Sequence, residues 1–307
     1  MVPHRLPSPL QTRIEAIAGH MTRVEGMAVD FASPAGAPAL VAPDSVSWRV
    51  FKNPIALFIG GVGAVLLELA EPKVRAGVWD HTSFRTDPVT RLRRTGLAAM
   101  VTVYAPRETA EAMIAGVGRR HAKVRGVTEG GAAYAADDPD LLDWVQATAS
   151  WGFLQGYHRF VRPLSAADRD RFYAEAAPAA RLYGARNSPM SDAELSQAFA
   201  AMAPRLEPSP VIREFLDIIR RAPILPPAMR PLQRLLVRAA VDILPDWARE
   251  RLELGPADGL SSWQRPVVRA MGRAADHLLL ENAPPAQACV RLGLPADWLY
   301  RSQRSIA

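Results

Sequence analysis

Helix start signals recur along this chain, and they constrain its fold more than any other feature of the sequence. At each one, a side chain that can accept a backbone N–H precedes a first-turn proline or acidic residue, and an apolar stretch with helical spacing follows. The signals predict helices that begin after Asn53, Asp138, Ser165, Ser191 and Ser209. Asp44 is predicted to cap a further short helix that holds Trp48 and Phe51.

Length and composition agree with a helical chain. It has 307 residues, is rich in Ala, Leu and Arg, and has only 7% aromatic residues, which favours helix over sheet. We therefore predict an all-α fold with a single multi-helix domain. Its expected parts are an N-terminal helix and loop (1–43), a core (44–244) and a C-terminal helical layer (245–307). The first helix is expected over Gln11–Met27, with Ile14, Ile17 and Met21 on one side.

Two polar clusters bracket the segment from Phe84 to Val127. Arg91, Arg94 and Thr95 stand at i, i+3 and i+4, so a helix places all three on one face. His121 continues the apolar face of a helix that opens at Pro106, and it is expected to point inward. The pattern indicates either a metal or haem pocket between the clusters, or a buried helix pair with solvated arginines.

The second cluster continues beyond His121. Val124 and Arg125 repeat the i, i+3, i+4 spacing, and Gly126 occupies the place of a C-cap glycine. The helix is therefore expected to reach Gly126, with Arg125 one turn beyond His121.

The order of these residues is similar to that in a known protein family. Asp87-Pro88, Arg91, Arg94-Thr95 and, about 26 residues later, His121-x-x-Val-Arg-Gly resemble the latex-clearing protein (rubber oxygenase) and mpaB-type oxygenase family. The similarity takes in roughly residues 45 to 240, including the segments that begin at Gly60, Asp138 and Tyr157.

The resemblance implies a fold, a cofactor and a site. It implies a globin-like helical core that holds haem b, with His121 as the proximal iron ligand. The distal Arg and Thr of the latex-clearing type fall on Arg91 and Thr95. Arg91 and Arg125 are the residues expected to contact the haem, Arg125 through a propionate. The implied reaction uses dioxygen on the carbon–carbon double bonds of an isoprenoid chain.

The chain departs from the family pattern at three positions. Arg94 replaces the distal lysine of the latex-clearing type, and a guanidinium cannot deprotonate in the working range. Glu71 stands where the family has the histidine of Gln-x-x-His-Pro, and Gln146 replaces the histidine of Trp-Val-His-Ala. Haem binding is therefore the better supported expectation, and rubber is not supported as a substrate.

Two glutamates end the apolar segment that begins at Pro54. Glu68 and Glu71 are at i and i+3, where burial would raise a carboxyl pKa towards that of a useful general base. Glu71, or alternatively Glu68, is the candidate acid–base group. The other reading is an exposed glutamate paired with Lys73 or Arg75.

The remaining metal-ligating residue types are few. Asp80 and His81 are adjacent, so on a helix they point in different directions, and we assign them mainly to structure. His158 is the one rival to His121 as an iron ligand. The single cysteine, Cys289, excludes an internal disulfide and a cysteine-based metal cluster, and is expected in the core.

The net charge of +6 comes almost wholly from arginine. It would suit haem propionates or an anionic membrane surface. The arginines are dispersed without interleaved aromatic residues, so no nucleic-acid partner is expected. Met1–Leu10 lacks the order of a signal peptide, and Ile55–Leu67 is too short to span a bilayer. The expected location is cytoplasmic, with peripheral contact to a membrane left open.

The sequence thus predicts a haem b-dependent oxygenase that acts on an apolar, isoprenoid- or lipid-like molecule with dioxygen. Arg91, Arg94 and Thr95 would contact bound oxygen, and Glu71 would handle a proton. Two alternatives remain open: a non-catalytic haem or lipid carrier, and a non-haem metal enzyme that uses Asp80, His81 and His121 with a carboxylate.

Overall fold

The computed structural model describes Gly19, Val24 and residues 26–301. Most of the helix expected over Gln11–Met27, including Ile14, Ile17 and Met21, lies outside the described residues. At its end, Val24 and Met27 form an isolated β-bridge. The segment from Phe31 to Pro43 contains no helix, as its Pro- and Gly-rich composition predicts.

The described part of the chain contains thirteen α-helices and one two-stranded sheet. They are α1 (Val46–Phe51), α2 (Pro54–Glu68), α3 (Pro72–His81), α4 (Pro88–Tyr104), α5 (Arg107–His121), β1 (Arg125–Val127), β2 (Ala133–Ala135), α6 (Pro139–Phe160), α7 (Ala166–Tyr183), α8 (Asp192–Met202), α9 (Pro210–Arg221), α10 (Arg230–Asp242), α11 (Asp246–Arg251), α12 (Gln264–Asp276) and α13 (Pro284–Arg291). The all-α prediction is confirmed.

Side-chain caps fix where the helices begin. The five predicted capping residues each accept a hydrogen bond from a backbone N–H of the first turn: Asn53, Asp138, Ser165, Ser191 and Ser209. The prediction for α1 was wrong by one residue. Ser45, and not Asp44, accepts from the Trp48 backbone N–H at 3.0 Å, while Asp44 is exposed beside Arg171.

The centre of the molecule is the crossing of α2 and α6. A Cβ on Gly60 would lie under 3.0 Å from the backbone of Gly152, and a Cβ on Gly156 would meet the carbonyl of Ala56 as closely. Only glycine allows the two backbones to approach this far. Gly60 on α2 and Gly152 and Gly156 on α6 therefore serve close helix packing.

One hydrophobic core joins the predicted core to the C-terminal layer. Its buried residues extend from Val24 to Tyr300, and Cys289 is among them, as expected. Arg291 in α13 is 1% exposed and donates to the carbonyl oxygens of Phe31, Ala37 and Tyr104. Residues from both ends of the described chain therefore pack into a single domain.

The two strands form a short antiparallel hairpin after α5. Gly126 pairs with Tyr134, and a Cβ at Gly126 would collide with the tyrosine ring. The helix that carries His121 ends at that residue, so the predicted extension to Gly126 was wrong.

No single helix among residues 26–301 is long and apolar enough to cross a membrane. By length and composition alone, α2 and α3 taken together could span a membrane, although they are bent by 113° at their junction.

Candidate active site between α2, α4 and α5

The first turns of α4 place the arginine cluster. Asp87 caps the helix by accepting from the Thr90 backbone N–H at 3.2 Å. One turn later, the Arg91 guanidinium hydrogen-bonds the Thr95 hydroxyl and lies 5.1 Å from the centre of the Phe84 ring. Arg91 is half-buried, whereas Thr95 and Arg94 are exposed. The structure therefore brings Arg91 and Thr95 into contact.

His121 is the last residue of α5. Pro106 is the N-cap of this helix, and Ala110 and Ile114 on its apolar face are buried. The imidazole is half-buried, and neither ring nitrogen has a hydrogen-bond partner among the described residues. Burial, and then the charge of Arg91, lower the pKa of His121, so the ring is neutral at pH 7 and has a free lone pair.

Glu68 is the last residue of α2, and it interacts electrostatically with Arg91. Burial raises the pKa of its carboxyl group to about 7, although the charge of Arg91 and a contact with the Thr148 hydroxyl at 3.5 Å act in the opposite direction. Arg91 thus acts electrostatically on both Glu68 and His121. Glu68, Arg91, Thr95 and His121 form one group of interacting side chains, which we call the Arg91 cluster.

Apolar residues extend from the cluster along α2. Leu57, Gly61, Val65 and Glu68 lie on one face, and all four keep partial solvent access within a largely buried helix. A Cβ on Gly96 or on Gly118 would meet no atom within 4 Å, so neither glycine is covered by a neighbouring side chain.

Glu71 is placed differently from Glu68. Its side chain is 2% exposed, caps α3 by accepting from the Val74 backbone N–H at 2.8 Å, and forms an ion pair with Arg205 at 2.8 Å. Both oxygens are therefore occupied by structural contacts. The geometry favours Glu68, the alternative, as the acid–base group. The reading of Glu71 as exposed and paired with Lys73 or Arg75 was wrong.

Arg125 lies on β1 and not on the helix of His121. Its guanidinium is exposed and pairs with Asp137 at 3.1 Å. The helical spacing on which its expected contact with a propionate was based is absent, because the chain leaves the helix at Ala122.

The other two candidate histidines already have partners. His81 contacts the Tyr134 hydroxyl at 3.0 Å through Nε2. Among the described residues, no group of three or more His, Cys, Asp or Glu side chains could hold a metal ion. Asp80, His81 and His121, the residues of the alternative non-haem metal site, therefore do not form such a group in the described structure.

His158 belongs to a different part of the molecule. Its Nδ1 accepts from the Leu164 backbone N–H at 2.9 Å, which places the proton of the neutral ring on Nε2 and leaves no lone pair for iron. It lines a cavity of about 630 Å³ together with Trp151, Gln155 and Trp247. Phe153, which contacts Phe51 near α2, points to the opposite side of α6.

A comparison with protein-family models connects this arrangement to an activity. Residues 48–277, about three quarters of the chain, match the family described as ER-bound oxygenase mpaB/B'/Rubber oxygenase, catalytic domain. The chain belongs to this family. It is therefore an oxygenase, an oxidoreductase, as the sequence predicted. No curated protein and no solved structure matches it.

The matched segment contains every member of the Arg91 cluster. Sequence reasoning missed two side chains that the structure adds to this mpaB/rubber oxygenase site: Thr148, which contacts Glu68, and Phe84, which stacks on Arg91. Thr148 is 80 positions from Glu68, and no local pattern links the two. Phe84 is closer in sequence to Arg91, but an aromatic residue in a sequence indicates core packing as readily as it indicates a contact with an arginine.

Proposed function

We propose that this chain is a haem b-dependent oxygenase with His121 as the proximal iron ligand. The observation that carries the proposal is the His121 ring: it is half-buried, its pKa is lowered, and neither nitrogen has a partner. A ring in this environment keeps a lone pair available for a haem iron.

The residues present fit a haem. A neutral imidazole is the common proximal ligand of haem iron, and cationic Arg91 is available for a propionate or for a polarised oxygen atom. When bound, the haem would supply the iron at which dioxygen is activated.

The polar side chains then have separate tasks. Arg91 donates a hydrogen bond towards oxygen, and the Thr95 hydroxyl, which accepts from the guanidinium and donates to the Arg91 carbonyl, holds that guanidinium in position. Glu68, with a pKa of about 7, accepts or returns a proton near neutral pH. Arg94 is exposed and carries a permanent charge, so its role is limited to the electrostatic field around Arg91.

The proposed substrate is a small apolar molecule of isoprenoid- or lipid-like character. The partly accessible face of α2 formed by Leu57, Gly61 and Val65 offers it an apolar wall that leads to Glu68. An apolar wall excludes water. It would orient the substrate by shape, since it carries no polar group that could bind a polar group of the substrate.

The test is an absorption spectrum of protein expressed with a haem precursor. We expect a Soret band in the wild type, and its loss or shift in His121→Ala. His81→Ala and His158→Ala are the matched controls, because each removes one histidine elsewhere in the molecule, and both should keep the band.

Two results would contradict the proposal. One is a wild-type protein that stays colourless and does not take up added haem. The other is a Soret band that survives in His121→Ala and is lost in a control variant. A wild-type protein that binds haem at His121 but consumes no oxygen with any isoprenoid or lipid would favour the carrier alternative.

A further inference from the structure

The cavity of about 630 Å³ beside His158 lies between α6 and α8. Trp151, Gln155 and His158 line one wall at i, i+4 and i+7, so they share one face of α6. Ser196 and Phe199 of α8 line the facing wall, and no residue of the Arg91 cluster takes part. The volume falls within the range of about 300–1,000 Å³ that is typical of small-molecule sites.

One end of the cavity is aromatic. Trp151 lies two turns before His158 on α6, and its ring centre is 5.7 Å from that of Phe199. Trp247 completes this end, with its ring centre 6.3 Å from that of Phe199. Aromatic walls of this kind can bind the apolar body of a small molecule and exclude water from it.

The other end of the cavity is polar. Leu164 holds two of its side chains next to each other: His158 Nδ1 accepts from the Leu164 backbone N–H at 2.9 Å, and Arg169 Nη1 donates to the Leu164 carbonyl at 3.0 Å. The Nε of Arg169 pairs with Asp192. Gln155 is one turn before His158, and its amide has no hydrogen bond within the described structure.

The polar end has N–H groups left over for a ligand. Because Nδ1 is an acceptor, the neutral His158 ring carries its proton on Nε2. Arg169 Nη2 and the Gln155 amide likewise donate to no other described residue. Burial, and then the charges of Arg169 and Arg159, lower the pKa of His158, and the opposing effect of Asp192 is smaller. The surroundings of the ring are therefore electrically positive, and they suit a negatively charged acceptor.

We propose that this cavity binds a small amphipathic carboxylate, with its apolar body at the aromatic end and its carboxylate at Gln155, His158 and Arg169. Hydrogen bonds to a charged acceptor are stronger than those to a neutral one. Asp192 lines the same end, but its charge is already paired with Arg169. This site is separate from the Arg91 cluster and does not rest on the proposed oxygenase function.

Isothermal titration calorimetry of the full chain as purified tests the proposal. Three probes share one body and differ in the head group: 4-phenylbutanoate, 4-phenylbutan-1-ol and 4-phenylbutylamine. We expect one phenylbutanoate to bind per chain. The alcohol should bind about tenfold more weakly, since it offers only a neutral acceptor. The amine should bind more weakly still, because it brings a cation to the positive end of the cavity.

Adjacent alanines on α8 locate the site. Ala200 and Ala201 are both exposed, but only Ala200 lines the cavity. Ala200→Trp should fill the cavity and abolish binding of phenylbutanoate, whereas Ala201→Trp should leave its affinity unchanged.

A pair of glutamines tests the head-group contact. Gln155→Leu keeps the volume but removes the amide, so it should weaken phenylbutanoate binding about tenfold through the loss of one hydrogen bond to a charged group. Gln197→Leu, at an exposed position of α8 outside the cavity, should have no effect. Circular dichroism serves as the folding control for all four variants.

His121→Ala separates this site from the proposed oxygenase site, and it should bind phenylbutanoate as tightly as the wild type does. Loss of binding in His121→Ala would contradict the proposal and assign the probe to the Arg91 cluster. The proposal would also be overturned if phenylbutanoate did not bind, if the alcohol or the amine bound as tightly, or if a folded Ala200→Trp variant kept full affinity.

Discussion

At the scale of single residues, Glu68 and Glu71 show how three-dimensional partners decide the role of a side chain. Both glutamates end the same apolar helix, and both were candidates for proton transfer. Glu71 is held by the backbone of α3 and by Arg205, whereas the carboxyl of Glu68 has only a long contact with Thr148 and the charge of Arg91. Glu68 is therefore free to change its protonation state.

The pKa of Glu68 predicts a dependence of stability on pH. Its folded pKa is about 7, above the ordinary value of 4.5. The folded state therefore holds the proton more tightly, and its stability falls as the pH rises from about 4.5 to about 7, then levels off. At 1.36 kcal/mol per pKa unit, the loss is about 3 kcal/mol at most. Glu68→Gln, which cannot ionise, should be the more stable protein at pH 8 and should lose this pH dependence in urea unfolding.

Glu71→Gln provides the contrast. It should destabilise the protein by about 1–3 kcal/mol across the same pH range, because the ion pair with the exposed Arg205 is lost and a buried cap is weakened. If Glu68→Gln kept the pH dependence of the wild type, the assignment of a raised pKa to Glu68 would be wrong.

At the scale of elements, glycine spacing decides how closely α2 and α6 cross. Gly60 and Gly61 are adjacent on α2, yet they meet different surroundings. A Cβ on Gly60 would lie under 3.0 Å from the backbone of Gly152, which cannot move aside, whereas a Cβ on Gly61 would rest 3.7 Å from the ring of Phe153.

We predict opposite effects of alanine at these two positions. Gly60→Ala should lower the free energy of unfolding by about 1–3 kcal/mol or more, since overpacking forces the helices apart. Gly61→Ala should leave stability unchanged or raise it by about 0.5–1 kcal/mol through helix propensity. Urea denaturation of the two variants measures this. A Gly60→Ala variant as stable as Gly61→Ala would show that the crossing is looser than the structure indicates.

The helices themselves could be predicted from the sequence because their signals are local. A cap such as Asn53 or Ser209 acts within one turn, and the apolar face of α9 repeats over twelve residues. The hairpin β1–β2 could not be predicted, since strands of three residues are too short to show alternation. Gly126 was read as a helix cap, although it provides room for the distant Tyr134 ring.

The candidate site could be predicted only in part from the sequence. The direction of His121 follows from its helix face, but the absence of a partner for its ring is a property of the whole fold. The same holds for the ion pair between Glu71 and Arg205, which are 134 positions apart. The globin-like arrangement, the role of Arg125 at the haem and the domain boundaries stay predictions.

At the scale of the whole molecule, Arg291 joins segments from both ends of the chain. Its guanidinium is buried in α13 and donates at 2.6–2.9 Å to carbonyl groups before α1 and at the end of α4. Two buried carbonyls and a partly buried one thus depend on one side chain that lies in the predicted C-terminal layer. That layer should therefore unfold together with the core and not as a separate unit.

This arrangement predicts the behaviour of Arg291→Met. Methionine retains much of the volume but none of the donors, so the three carbonyls lose their partner and we expect a loss of about 3 kcal/mol or more. Arg301→Met, which removes a 56% exposed arginine paired with Asp297, should cost less than about 1 kcal/mol. Thermal unfolding followed by far- and near-ultraviolet circular dichroism should show one transition, shifted down in Arg291→Met only. A shared core must lose its secondary structure and its packing at the same temperature. A separate early transition in Arg291→Met would therefore mean that the C-terminal helices form an independent unit.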